Sequence, residues 1–111
     1  IILSKESMKI SIKPLSVNEC YRGRRFKNDK YKAYEMELLL RLPPLDVPKK
    51  NLCVNLVFGF SNEASDIDNG VKIFLDILQK AYGFNDKEVT ELHVFKEIVK
   101  KGQEYIDFSL L

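Results

Sequence analysis

Asp66 and Asp68 stand two residues apart in the stretch Asp66-Ile67-Asp68-Asn69, between one apolar run and a second, amphipathic one. Two carboxylates so close together repel each other unless a positive group sits between them. A hard cation with oxygen ligands is one such partner, since magnesium is commonly held by a pair of acids together with waters and substrate phosphate. A helix that begins here adds the positive end of its dipole to the same place. Lys72 follows Asp68 by four residues, which on a helix is the same face, so its ammonium can approach the acids or a phosphate oxygen. Asp76 continues that face and suits a salt bridge. After Gly83-Phe84, Asn85-Asp86 brings a further acid to the end of the amphipathic run. The Asp-x-Asp spacing by itself also suits an ordinary helix N-cap, so the whole pattern carries the reading rather than the pair.

A second cluster is basic. Arg22, Arg24, Arg25, Lys27, Lys30 and Lys32 lie beside a single acid, Asp29, with Tyr21, Phe26 and Tyr31 interleaved among them. Such a stretch fits an arm that tracks phosphates while its aromatic rings pack on sugars or exposed bases. A solvated loop is the plain alternative. Asn18, at the entrance of the arm, suits either a contact to substrate or backbone, or an Asx-turn. The net charge of +2 is too small to identify a nucleic-acid binder, but its distribution, basic early and acidic late, points that way.

Other chemistries find little material. Cys20 and Cys53 have neither the paired spacing of a zinc motif nor the number of a disulfide framework, and read as reduced thiols of a cytosolic protein. His93, the one histidine, falls inside a run with strand character and reads as structural. That leaves too few groups for His-based zinc chemistry or a Ser-His-Asp set. No apolar run approaches the roughly eighteen residues of a membrane span, and Lys5, Glu6 and Lys9 break up any signal-peptide core.

The elements that must position these groups follow from periodicity. The 111 residues, 45% hydrophobic, suffice for one domain spanning 1–111 with a single core. Residues 8–13 alternate as a half-buried strand that Pro14 stops, and the polar, basic stretch that follows, to Asp29, reads as a long exposed loop. Residues 30–42 read as a helix ended by Pro43-Pro44, and residues 52–60 as a largely buried strand. Ser65-Asp66 then suits a helix N-cap, with Ile67, Val71, Phe74, Leu75, Leu78 and Ala81 as the apolar stripe and Gly83 as the stop. Strands over 89–98 and 105–110 follow, joined by Lys100-Lys101-Gly102-Gln103, whose Gly suits a hairpin. The expected fold class is α+β, a mixed sheet with two helices in the order β-α-β-α-β-β.

Asp66-Ile67-Asp68-Asn69, Lys72, Asp76, Gly83-Phe84, Asp86 and Val89, with Pro14-Leu15-Ser16-Val17-Asn18 ahead of the basic arm, resemble the signature of the RusA family of Holliday junction resolvases, the crossover junction endodeoxyribonucleases. The resemblance spans nearly the whole chain. It implies a RusA-like fold and a homodimer, found in the cytoplasm of bacteria and encoded by them or their phages. The implied activity depends on Mg²⁺, with Mn²⁺ as a substitute, and cuts four-way DNA junctions in paired strands during recombination and repair. It further implies Asp66, Asp68 and Asp86 as catalytic metal ligands and Lys72 as the essential lysine. Unlike the family's basic flank, Ser61-Asn62-Glu63-Ala64-Ser65 carries no positive charge. Two other expectations stay open: a junction-binding protein with a weakened metal site, and a nuclease acting on flaps or forks.

Overall fold

The computed structural model describes residues 7–16, 21–22 and 26–111, with positions 21, 22, 26 and 27 as backbone only. The fold is α+β: two helices and a four-stranded mixed sheet. Its described elements are β1 (Met8–Ile10), β2 (Tyr21–Arg22), β3 (Phe26–Lys27), α1 (Asp29–Arg41), β4 (Leu52–Phe60), α2 (Val71–Tyr82), β5 (Val89–Ile98) and β6 (Tyr105–Leu110), with a 3-10 turn at Asp86–Glu88 before β5. The order of the main elements is the one the periodicity implies. The addition is β2–β3, a small antiparallel hairpin with Arg22 opposite Phe26, inside the basic stretch expected to be wholly loop.

β4 is the hub. Its even positions, Leu52, Val54, Leu56, Phe58 and Phe60, point to one face because strand side chains alternate. On that face they meet Ile73, Phe74, Ile77 and Leu78 of α2, Tyr31, Tyr34 and Leu38 of α1, and Ile106, Phe108 and Leu110 of β6. Phe74 sits at the centre, edge-on to Phe58 at 6.2 Å and to Phe108 at 5.5 Å between ring centroids.

The strand order β1-β6-β4-β5 corrects one expectation. β5 and β6 do not form a hairpin with each other: β4 lies between them, parallel to β5 and antiparallel to β6. The link through Gly102 (φ 93°) does turn, with Gln103 N–H donating to the Lys100 carbonyl, but it carries the chain past the end of β4. The physical reason is burial. β4 is the most apolar strand and takes partners on both edges, whereas the exposed, alternating β5 is left at the margin of the sheet. A parallel pair cannot be joined by a tight turn, and α2 supplies the crossover between β4 and β5.

Local sequence sets the ends of the helices. Asn28 caps α1, its Oδ1 accepting from Tyr31 N–H at 3.0 Å, and the Pro43-Pro44 pair that follows Leu42 forbids continuation. α2 ends at Gly83 in the left-handed region (φ 75°), whose N–H returns to the Gln79 carbonyl at 2.8 Å. Its start differs from expectation: the helix begins at Val71, and Gly70 rather than Ser65 or Asp66 is the N-cap, without a side-chain cap bond. Gly70 lies against the Phe58 ring, where a Cβ would stand 3.2 Å from it. Residues 66–70 instead form successive turns, with Asn69 N–H on the Asp66 carbonyl and Val71 N–H on the Asp68 carbonyl, each at 3.1 Å. Asp, Asn and Gly favour such turns over helix interior.

Candidate metal centre and nucleic-acid interface

The acidic loop leaves the carboxyl end of β4, the end of a strand at which ligands commonly bind in sheets with crossover helices. Both Asp66 and Asp68 are exposed, and among the described residues no side chain hydrogen-bonds or ion-pairs with either. The loop is held by its own backbone: Asn62 accepts from Ala64 N–H through its side chain and from Ser65 N–H through its carbonyl. Lys96 of β5 donates to the carbonyls of Glu63 and Ser65. That lysine supplies the positive charge which residues 61–65 lack in sequence.

Lys72 stands on the first turn of α2, but Asp68 precedes the helix, so the helical-face relation between them does not hold. Its helical partner is Asp76, one turn on, with Nζ to Oδ1 at 3.2 Å. Lys72 also lines a shallow depression of about 390 Å³ together with Leu75, Asp86, Thr90 and Glu91. Lys72 and Asp86 thus line one depression. Asp86, in the 3-10 turn, precedes Val89, which is in register with the first residue of β4, whereas Asp66 and Asp68 follow its last. Among the described residues the three aspartates do not form a group with ligand atoms all within 4.8 Å of one another. The donor set of the Asp66/Asp68 pair, oxygen-only, exposed and unpaired, nonetheless fits a hard cation that keeps waters and takes a phosphate oxygen.

A second hollow, about 310 Å³, opens beside the acidic loop between Lys13, Pro14, Ser16, Ser61, Asn69 and Glu104. Ser61 donates to the Glu104 carboxylate at 2.7 Å and Gly102 N–H donates to it at 2.8 Å, which hold that carboxyl below the usual carboxylate range. Lys13, Pro14 and Ser16, which precede the basic stretch in sequence, lie beside the acidic loop. Of the arm's expected DNA contacts, Lys30 is exposed on the first turn of α1. Arg22 and Lys27 belong to the β2–β3 hairpin as backbone, and Asn18, Arg24 and Arg25 lie outside the described residues.

One cluster was not legible in the sequence. Cys53, Glu91 and His93 present a thiol, a carboxylate oxygen and a ring nitrogen all within 4.8 Å of one another on the sheet face away from the helices. His93, expected to be a structural strand residue, is half-exposed, its Nε2 3.9 Å from Glu91 Oε1. Burial, then the Glu91 carboxylate, push the Cys53 thiol up from its ordinary value. The alternation of Glu91 and His93 was visible, but the register that sets Cys53 beside them was not. No protein-family model matches the chain, and no curated protein matches it in sequence.

Proposed function

We propose that this chain is a Mg²⁺-dependent endodeoxyribonuclease of the RusA type that resolves four-way DNA junctions in recombination and repair, with Mn²⁺ able to replace Mg²⁺. The observation that carries the reading is the Asp66/Asp68 pair, two exposed carboxylates without described partners at the carboxyl end of the central strand. Lys13 to Ser16 near them precede in sequence a stretch rich in arginine and lysine, the complement of a phosphate backbone. Bound magnesium supplies activation of water and stabilisation of the departing 3′ oxygen. Asp66 and Asp68 would hold it, whereas Asp86 lies towards the other end of β4, in the depression it shares with Lys72. Lys72, exposed and on the same side as Asp86, neutralises charge on the scissile phosphate. Asn18, Arg22, Arg24, Arg25, Lys27 and Lys30 grip the backbone of the junction arms.

The working unit in this reading is a homodimer, because a four-way junction has near two-fold symmetry and paired incisions need two centres related by a matching axis. Met36 and Leu40, one turn apart and exposed on α1, supply apolar surface for such self-association. Among the described residues no helix is long and apolar enough to cross a membrane, in keeping with action on DNA in a bacterial cytoplasm.

A second reading, a junction-binding protein without cutting activity, is favoured by one observation: Asp86 does not share a ligand group with Asp66 and Asp68. The two separate in a single experiment. Synthetic four-way junctions, linear duplexes and flaps are incubated with the protein and Mg²⁺, and both retention and nicking are read. Symmetric nicks in the junction alone support resolution; retention without nicks supports the binding module; nicks in flaps or forks assign a different nuclease.

A further inference from the structure

The face of the sheet away from the helices holds a donor set of another kind. β4 and β5 pair in parallel, but the register shifts once: Leu52 stands opposite Val89, and Cys53 opposite Glu91, so Thr90 is the extra residue of a bulge. A one-residue shift changes which face the partner strand presents. In unbroken register Glu91 and His93 would lie beside Val54 and Leu56 on the core face. The bulge turns them to the other face, where Glu91 faces Cys53 and His93 faces Asn55. The backbone of Cys53 is fixed on its other edge by reciprocal hydrogen bonds with Leu111, at 2.8 and 2.9 Å. Asn55 Nδ2 donates to Cys53 Sγ at 3.7 Å and to the buried Ser109 Oγ at 3.1 Å, the kind of outer contact that orients a thiolate ligand.

We propose that Cys53, Glu91 and His93 bind a thiophilic divalent cation, zinc by its chemistry, as a three-ligand site whose fourth position is open to water. Zinc bonds of about 2.0–2.3 Å in a tetrahedron set ligand atoms about 3.3–3.6 Å apart. The Glu91–His93 separation of 3.9 Å is close to that, and the whole set already lies within 4.8 Å. Glu91 and His93 are exposed, so small rotations of their side chains close the remainder. A thiolate and an imidazole select against magnesium, which makes this site independent of the acidic loop. Bound zinc clips the edge strand β5 to β4.

The test is a Co²⁺ titration of the untagged full chain, followed by absorbance. The expected result is saturable binding with a sulfur-to-cobalt charge-transfer band, displaced by Zn²⁺ and not by excess Mg²⁺. Cys53→Ser abolishes the band, while His93→Ala and Asn55→Ala each weaken affinity about tenfold or more. Cys20→Ser and Asp68→Asn leave it unchanged. His93 and Glu91 are exposed, so His93→Ala and Glu91→Gln decide the matter if Cys53→Ser does not fold. A missing band, a band lost with Cys20→Ser, or wild-type affinity in His93→Ala and Glu91→Gln overturns the site.

Discussion

Replacing Lys72 with Met removes an ammonium and keeps the aliphatic stem, and the structure limits what that change can do to stability. The Lys72 side chain is 65% exposed and pairs with Asp76 across one turn of α2 at 3.2 Å. Exposed helical pairs of this spacing contribute about 0.3–0.5 kcal/mol. Loss of that pair therefore moves the unfolding free energy by less than about 1 kcal/mol. A role at the scissile phosphate predicts something larger in the chemical step, a rate loss of about 10²-fold, equivalent to about 2.7 kcal/mol of transition-state stabilisation. Urea denaturation of wild type and mutant measures the first quantity. Single-turnover cleavage of a synthetic junction, at saturating protein and Mg²⁺, measures the second. The two numbers should differ in this direction because the depression Lys72 shares with Asp86 is open to a ligand, whereas its contact to Asp76 is a surface pair. A wild-type cleavage rate refutes the catalytic role, and a stability loss of several kcal/mol shows that the lysine is structural instead.

Arg24→Ala with Arg25→Ala should weaken junction binding and flatten the dependence of affinity on salt by about one counterion per lost phosphate contact, read from binding isotherms at several salt concentrations. Light scattering at micromolar concentration should give a dimer, either free or on junction DNA; a monomer under both conditions removes the paired-centre reading. Asp107 tests the sheet's outer face. Burial raises its carboxyl above the ordinary value, with Lys9 opposing, and its Oδ1 is buried without a hydrogen-bond partner among the described residues. A carboxyl whose folded value is raised costs stability above that value and ceases to cost it once pH falls below the unfolded value. Asp107→Asn should therefore raise the urea midpoint at neutral pH, and the gain should shrink as the pH is lowered through the acidic range.

The sequence made the strands and their ends legible where composition alone decides them. β4, β5 and β6 fall at the boundaries that their apolar and β-branched runs imply, and Pro43-Pro44 and Gly83 stop the helices. Pairing was not legible, because it depends on which strand competes best for two partners. The turn at Gly102 reads locally as a hairpin, yet the more apolar β4 takes both flanking strands. The start of α2 was misplaced for a related reason: Asp66, Asp68, Asn69 and Gly70 suit a cap and a turn equally in sequence, and the fit of Gly70 against Phe58 decides for the turn. The acidic pair was legible only as a spacing, and its place in a turn between β4 and α2, rather than at the helix N-cap, was not. The Cys53 cluster was not legible, because a single bulge in a parallel register decides whether Glu91 and His93 meet a thiol or the core.

The most direct test of the proposed function is cleavage of a synthetic four-way junction in Mg²⁺ by wild type and by Asp68→Asn, with junction binding measured alongside. Asp68→Asn removes ligand charge without volume from an exposed turn, and phosphate contacts elsewhere dominate affinity. The account predicts paired, Mg²⁺-dependent nicks by the wild type, and by the mutant retention of the junction with no nicks. Full cutting by Asp68→Asn, or retention without any cutting by the wild type, contradicts it.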